Sequence, residues 1–236
     1  KDHSVIEPVN EYPLNPFEYQ KRKSNTVLNI GGKNVPIIKA DFSHKKKITP
    51  ASFFALGYNY SVPLDKWHIS DMAADYVFVG DHKLDFEVPG TLGVIYNYKR
   101  WKTHKKGYPC YRVEEYLEES DKSEKMNMIY TAYSDFSASL IDKLKTDKSA
   151  VLLLETHNKN TIAELRRFII KLINNNIKTP VIIGKGYENL SEQQLQISAS
   201  SDLGSLLLDG LGDGIFIYAP KCSSDQKINS LGFGIL

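Results

Sequence analysis

Four side chains, Asp41, Arg100, Lys185 and Asp209, lie at or just after the ends of short apolar runs. Two carboxylates and two cations held on one rim would grip a polar ligand through charge-assisted hydrogen bonds. Two basic clusters add a phosphate-binding possibility. Lys45-Lys46-Lys47 follows the first apolar run, and Lys99-Arg100-Trp101-Lys102 with His104-Lys105-Lys106 follows the third. The acidic Glu114, Glu115, Glu118 and Glu119 next door partly neutralise the second cluster. The glycine-rich Asp209-Gly210-Leu211-Gly212-Asp213-Gly214 lacks the spacing of either a P-loop or a dinucleotide fingerprint. The six histidines are scattered, with no i, i+4 metal pair, and Cys110 and Cys222 are far apart with no C-x-x-C. No self-contained zinc or iron–sulfur site is expected within this chain.

The elements that would position these residues follow from hydrophobic patterning. Eight runs are nearly continuous in apolar character: 35–42, 75–80, 92–98, 126–131, 150–156, 180–185, 205–210 and 214–219. Runs of six to eight residues, rich in β-branched side chains, suit strands buried on both faces, as in parallel sheets. Helical patterns fall between several of them. Thr161 with Glu164 predicts a capping box before the stripe Ile162, Leu165, Ile169, Leu172 and Ile173, and Ser191 with Gln194 predicts a second. Asp135 is placed to cap a helix carrying Leu140, Ile141 and Leu144, and Pro50 to open another.

Alternating strands and helices over 236 residues point to an α/β fold, a (β/α)8 barrel resembling the triosephosphate isomerase type. An open doubly wound sheet is the alternative. The barrel is expected to be degenerate near its seventh and eighth strands, because Leu211-Gly212-Asp213 is too short for a parallel crossover. Residues 1–34, with Pro8, Pro13, Pro16 and the basic Lys21-Arg22-Lys23, suggest an extended arm; residues 35–236 would be the barrel. Ile228, Leu231, Ile235 and Leu236 predict a final amphipathic helix without a stop signal. With Lys1 rather than Met in first place, that suggests a piece of a longer protein.

Composition narrows the function classes. The net charge is +2, with 14 Tyr, 10 Phe and 2 Trp, which argues against long disorder and against wholesale nucleic-acid binding. The longest apolar runs fall well short of the roughly 20 residues of a membrane span. Two thiols in a chain of this size fit a reducing compartment.

Leu203–Gly214, with its DGLGDG segment, followed by Leu231-Gly232-Phe233-Gly234-Ile235-Leu236, resembles the long-type 4-hydroxy-3-methylbut-2-enyl diphosphate synthases of the non-mevalonate isoprenoid pathway. Asn15-Pro16-Phe17-Glu18-Tyr19, Lys21-Arg22, Ile30-Gly31-Gly32 and Val35-Pro36 are similar to the arm by which that family enters its extra domain. The resemblance implies the inserted, barrel-like middle domain of a three-domain iron–sulfur enzyme. The parent would reductively convert a cyclic diphosphate, 2-C-methyl-erythritol 2,4-cyclodiphosphate, to its open-chain product.

On this reading the [4Fe–4S] cluster is bound outside this chain, which carries neither the family's cluster cysteines nor its arginine-rich diphosphate site. Asp209 would be a relic of an acidic position in a duplicated barrel, and no residue here would be catalytic. The implied partners are the catalytic and iron–sulfur domains of the same polypeptide, with ferredoxin or flavodoxin as electron donor. The parent would be a homodimer, cytoplasmic in a bacterium or stromal in a plastid. Two alternatives stand beside the insert: an independent barrel binding a phosphate- or pterin-like ligand at its C-terminal face, and a donor-docking surface along Lys99–Lys106.

Overall fold

Near-continuous apolar runs form strands that must be covered on both faces, and here eight of them close into a ring. The computed structural model describes residues 5–6, 8–9, 11–15 and 17–236; the rest of the expected arm lies outside the described residues. In chain order, β1 (Ile37–Asp41) leads through a 3-10 helix (Pro50–Leu56) and a hairpin, β2 (Tyr58–Ser61) with β3 (Lys66–Ile69), to β4 (Tyr76–Gly80). Then come β5 (Gly93–Asn97), α1 (Tyr98–His104), β6 (Tyr108–Arg112), α2 (Val113–Glu118), β7 (Asn127–Thr131) and α3 (Ala138–Thr146). The rest is β8 (Ala150–Glu155), α4 (Thr161–Asn174), β9 (Val181–Gly186), α5 (Glu192–Ala199), α6 (Ser205–Leu208), β10 (Gly214–Tyr218) and α7 (Asp225–Ile235). The ring runs β1-β10-β9-β8-β7-β6-β5-β4 and closes by pairing β4 with β1; every pair in it is parallel. This is the expected (β/α)8 architecture.

Two strand assignments change. The run 205–210 is helical: a π-helical turn (Ser200–Gly204) joins α5 to α6, and this segment supplies the crossover from β9 to β10. Leu211-Gly212-Asp213 therefore links a helix to a strand, which removes the short-crossover difficulty. The eighth strand is β6, whose Tyr-Pro-Cys-Tyr-Arg sequence hides it behind a proline. The barrel is irregular elsewhere: no helix lies between β4 and β5, where residues 81–92 form a loop packing Leu84, Phe86 and Val88 on the core.

The caps differ in detail. Ser191 and Gln194 form the expected box, with Gln194 N donating to Ser191 Oγ and Ser191 N donating to Gln194 Oε1. Thr161 instead begins α4, and Glu164 turns back to accept from Thr156 Oγ1 and Asn158 Nδ2. Ser137, not Asp135, caps α3; Asp135 closes the preceding turn by accepting from Ala132 N. Pro50 opens a 3-10 helix.

Inside the barrel, Ile37, Tyr76, Ile95, Met126, Met128, Val151, Leu153, Ile182 and Phe216 form one buried cluster. Val27 and Ile30 join it from a tight turn bridged by two backbone hydrogen bonds, so residues 27–30 plug the end where the strands begin. A second, larger cluster lies between the ring and its helices. The arm is therefore part of the barrel from Arg22 onward.

Candidate functional site

Barrels of this kind place chemistry where the strands end. Parity along β1 turns Lys39 and Asp41 inward together. The Lys39 amine lies 3.7 Å from the Phe216 ring centroid, 5.0 Å from that of Phe78 and 3.7 Å from Asp41 Oδ2. Burial drives its pKa down, against the pull of Asp41, Cys110 and Glu155. Above it, Asp41 Oδ1 accepts from the backbone and hydroxyl of Ser43 at 2.8 and 2.5 Å. Tyr130 donates to Glu155, and burial followed by that bond raises the Tyr130 pKa. Asn97 donates to Asp81 at 2.9 Å.

This mouth is thus a layer of interlocked polar groups over a lysine that is 2% exposed. A cation over aromatic faces is stabilised by the ring quadrupole and needs its neighbouring carboxylate when desolvated. The group can stiffen the mouth and accept hydrogen bonds from a polar ligand above it. Sequence reasoning passed over Lys39 and Tyr130. The available signal was a lysine inside the run Val35–Phe42, two residues before Asp41 and hence on the same strand face.

The four rim residues are not brought together. Asp41 alone belongs to the mouth. Lys185 faces outward from β9, with its amine bonded to Thr161 and 3.6 Å from Asp202. Arg100 sits on α1, where its buried Nε has no hydrogen-bond partner among the described residues. Asp209 follows α6, toward the opposite end of the barrel, and is ion-paired with Arg166. In the basic clusters, Lys45 pairs with Asp225 at 2.5 Å, Lys102 with Glu119 at 3.1 Å, and Lys105 with Asp121.

At that opposite end the DGLGDG segment has a mechanical role. Gly210 holds φ at +71°, and a Cβ there would sit 2.7 Å from the Gln20 carbonyl, so the arm lies directly on it. Arg22 N donates to Gly210 O at 2.9 Å. Asp213, buried, accepts from Ser24 Oγ at 2.7 Å and Val181 N at 2.9 Å, and lies 3.8 Å from the Arg22 guanidinium. Arg22 donates onward to the carbonyls of Ile177 and Thr179. These residues latch the arm across the barrel floor.

The cysteines do not form a cluster site. Cys110 lines the barrel interior on β6, its thiol pushed up to about 11 by burial, while Cys222, between β10 and α7, donates to Tyr187 O. No group of three or more His, Cys, Asp or Glu among the described residues could hold a metal. No helix among the described residues is long and apolar enough to cross a membrane.

Ring closure, parity and interleaved helices define this as a (β/α)8 barrel protein. The comparisons carry the likeness further. Over 236 residues the chain is 27% identical to the 4-hydroxy-3-methylbut-2-en-1-yl diphosphate synthase (flavodoxin) of Parabacteroides distasonis, matching all of this chain and 35% of the relative. The enzyme of the same name from Bacteroides fragilis ATCC 25285 is 24% identical, matching all of this chain and 34% of the relative. That of Porphyromonas gingivalis is 33% identical over 102 residues, 43% of this chain. No family model matches. The chain thus spans about a third of the length of the curated relatives it matches end to end, as an inserted domain of such a synthase would.

Proposed function

We propose that this chain is the inserted middle domain of a 4-hydroxy-3-methylbut-2-enyl diphosphate synthase and that it acts as a rigid spacer between the catalytic barrel and the iron–sulfur domain. The observation that carries this is the end-to-end match to about one third of synthases from several bacteria. Two structural features support it: the arm is latched into the barrel floor by Arg22 and Asp213, and the mouth is filled by its own side chains. The [4Fe–4S] cluster of the parent would be held by residues beyond this chain. Reaction geometry is sensitive to position, with misplacement by ~1 Å able to cost about 10²-fold in rate. A spacer that fixes where cluster and substrate meet has that much to contribute.

A second reading is favoured by the word flavodoxin in the relatives' names: the domain also meets the electron donor. The spacer role is tested by replacing residues 20–236 of the parent with a flexible Gly/Ser linker. Turnover should fall at least about 10²-fold, with the cluster spectrum retained. Turnover within a factor of two of the intact enzyme would overturn it.

A further inference from the structure

The floor of the barrel carries a ring of exposed lysines. Lys33 lies in the segment entering β1, Lys106 before β6, Lys125 before β7, Lys148 before β8 and Lys178 before β9, so topology sets five lysines around one end. Lys23, beside the latch, makes a sixth. All six are exposed, and none forms an ion pair with a described residue. The carboxylates at this end are mostly occupied: Asp75 by Ile38 N and Asn29, Asp121 by Lys105, Asp147 by Ser149 and Tyr116, Asp209 by Arg166. Glu124 before β7, Glu118 at the end of α2, and Glu11 and Glu18 on the arm are exposed exceptions.

The centre of this end is apolar and strained. Leu28, at the tip of the plug, holds φ at +54° and is 42% exposed, and Val35 beside β1 is 79% exposed. A leucine in the left-handed region costs free energy that asparagine or glycine would avoid, and such strain concentrates at functional positions. A groove of about 1010 Å³ leads from Leu28 past Phe86 and Trp101 to Lys106 and Lys125. An apolar centre within a charged rim is the anatomy of a protein–protein contact, and single-sign charge on the rim speeds encounter with a complementary partner.

We propose that this floor is a docking surface for a protein that presents a carboxylate-rimmed apolar patch, with Leu28 seated at its centre. The choice of probe rests on the function proposed above; the surface itself does not.

The test titrates the chain against purified flavodoxin by calorimetry at low and high salt. Binding should weaken at least about tenfold at low salt in Lys106→Glu/Lys125→Glu/Lys148→Glu, and the difference should shrink at ~0.5 M salt, where screening is short-ranged. Leu28→Asn should weaken binding at both salt levels without lowering the melting temperature. Lys46→Glu/Lys47→Glu, after the opposite ends of the strands, should bind as the parent does. No binding at low salt overturns the proposal, as does equal loss in the Lys46/Lys47 variant. Heparin binding with the same variant sensitivity, but no flavodoxin binding, would mark a polyanion surface and also overturn it. Because the readout is binding, a negative result leaves the spacer test untouched, and failure of the spacer test leaves this one intact.

Discussion

Replacing Asp213 with alanine should damage this barrel more than any substitution at its mouth. The Arg22 and Asp213 side chains are 4% and 3% exposed, and Asp213 also holds Ser24 and the start of β9. Burial pulls the Arg22 pKa down and Asp213 opposes it, so the carboxylate is what makes a buried guanidinium tolerable. Arg22 Nε and Nη1 lack hydrogen-bond partners among the described residues, so without Asp213 the guanidinium keeps only the two neutral carbonyls that Nη2 reaches. Breaking a buried pair by removing one partner costs about 3–5 kcal/mol, a figure that already includes the lost bonds to the charged acceptor. In a domain of this size each kcal/mol moves Tm by about 2–4 °C, so the expected drop is about 6–20 °C. Urea denaturation followed by Trp67 and Trp101 fluorescence gives the free energy directly. With Arg22→Met as the second single variant, Arg22→Met/Asp213→Ala should recover part of the loss in a double-mutant cycle. A cost below ~1 kcal/mol for Asp213→Ala, or strict additivity in the cycle, would refute the latch.

Gly210→Ala should cost about 1–3 kcal/mol in the same assay, since its φ of +71° and the Gln20 carbonyl 2.7 Å from the new Cβ both oppose a side chain; a neutral result would place the arm elsewhere. Stability should rise with pH on the alkaline side of neutrality. Burial lowers the pKa of Lys122 to about 8 and also that of Lys39, so between that range and the ordinary lysine value the unfolded chain binds more protons. Above about pH 10 the buried tyrosines, Tyr111 and Tyr116 among them, have raised pKa values and reverse the trend; Lys122→Met should flatten the rising limb in urea titrations. Cys110 should resist thiol reagents at pH 8, because a pKa of about 11 leaves about one thiolate in a thousand. Mass spectrometry after brief alkylation should show label on Cys222 first, and equal labelling would contradict the buried placement.

The ring was legible because seven of its strands are apolar runs of the length that two-sided burial demands. Residues 205–208 misled because a short leucine run looks alike in a strand and a buried helix, and periodicity cannot separate them. The three-residue gap after it was the correct warning. β6 was missed because Pro109 cannot donate to a ladder and argues against a central strand. The hairpin β2–β3 went unread although Tyr-Asn-Tyr-Ser and Lys-Trp-His-Ile carry the alternation of paired strands. The rim failed as a constellation because nearness to a strand end does not fix direction. Lys185 lies one residue out of phase with the inward face of β9, and Asp209 belonged to a helix. The floor lysines were visible singly; only strand order puts them around one end.

The most direct test of the central claim substitutes Asp41→Asn and Glu155→Gln at the mouth of this domain within the proposed parent synthase and measures turnover with chemical reductant. Melting of the isolated chain would be followed in parallel. A spacer predicts turnover within about twofold of the parent and an unchanged cluster spectrum, since on that account nothing at the mouth would touch the reacting atoms. A loss of more than about tenfold in a domain that still melts as the parent does would contradict that, and would make the mouth part of the reaction.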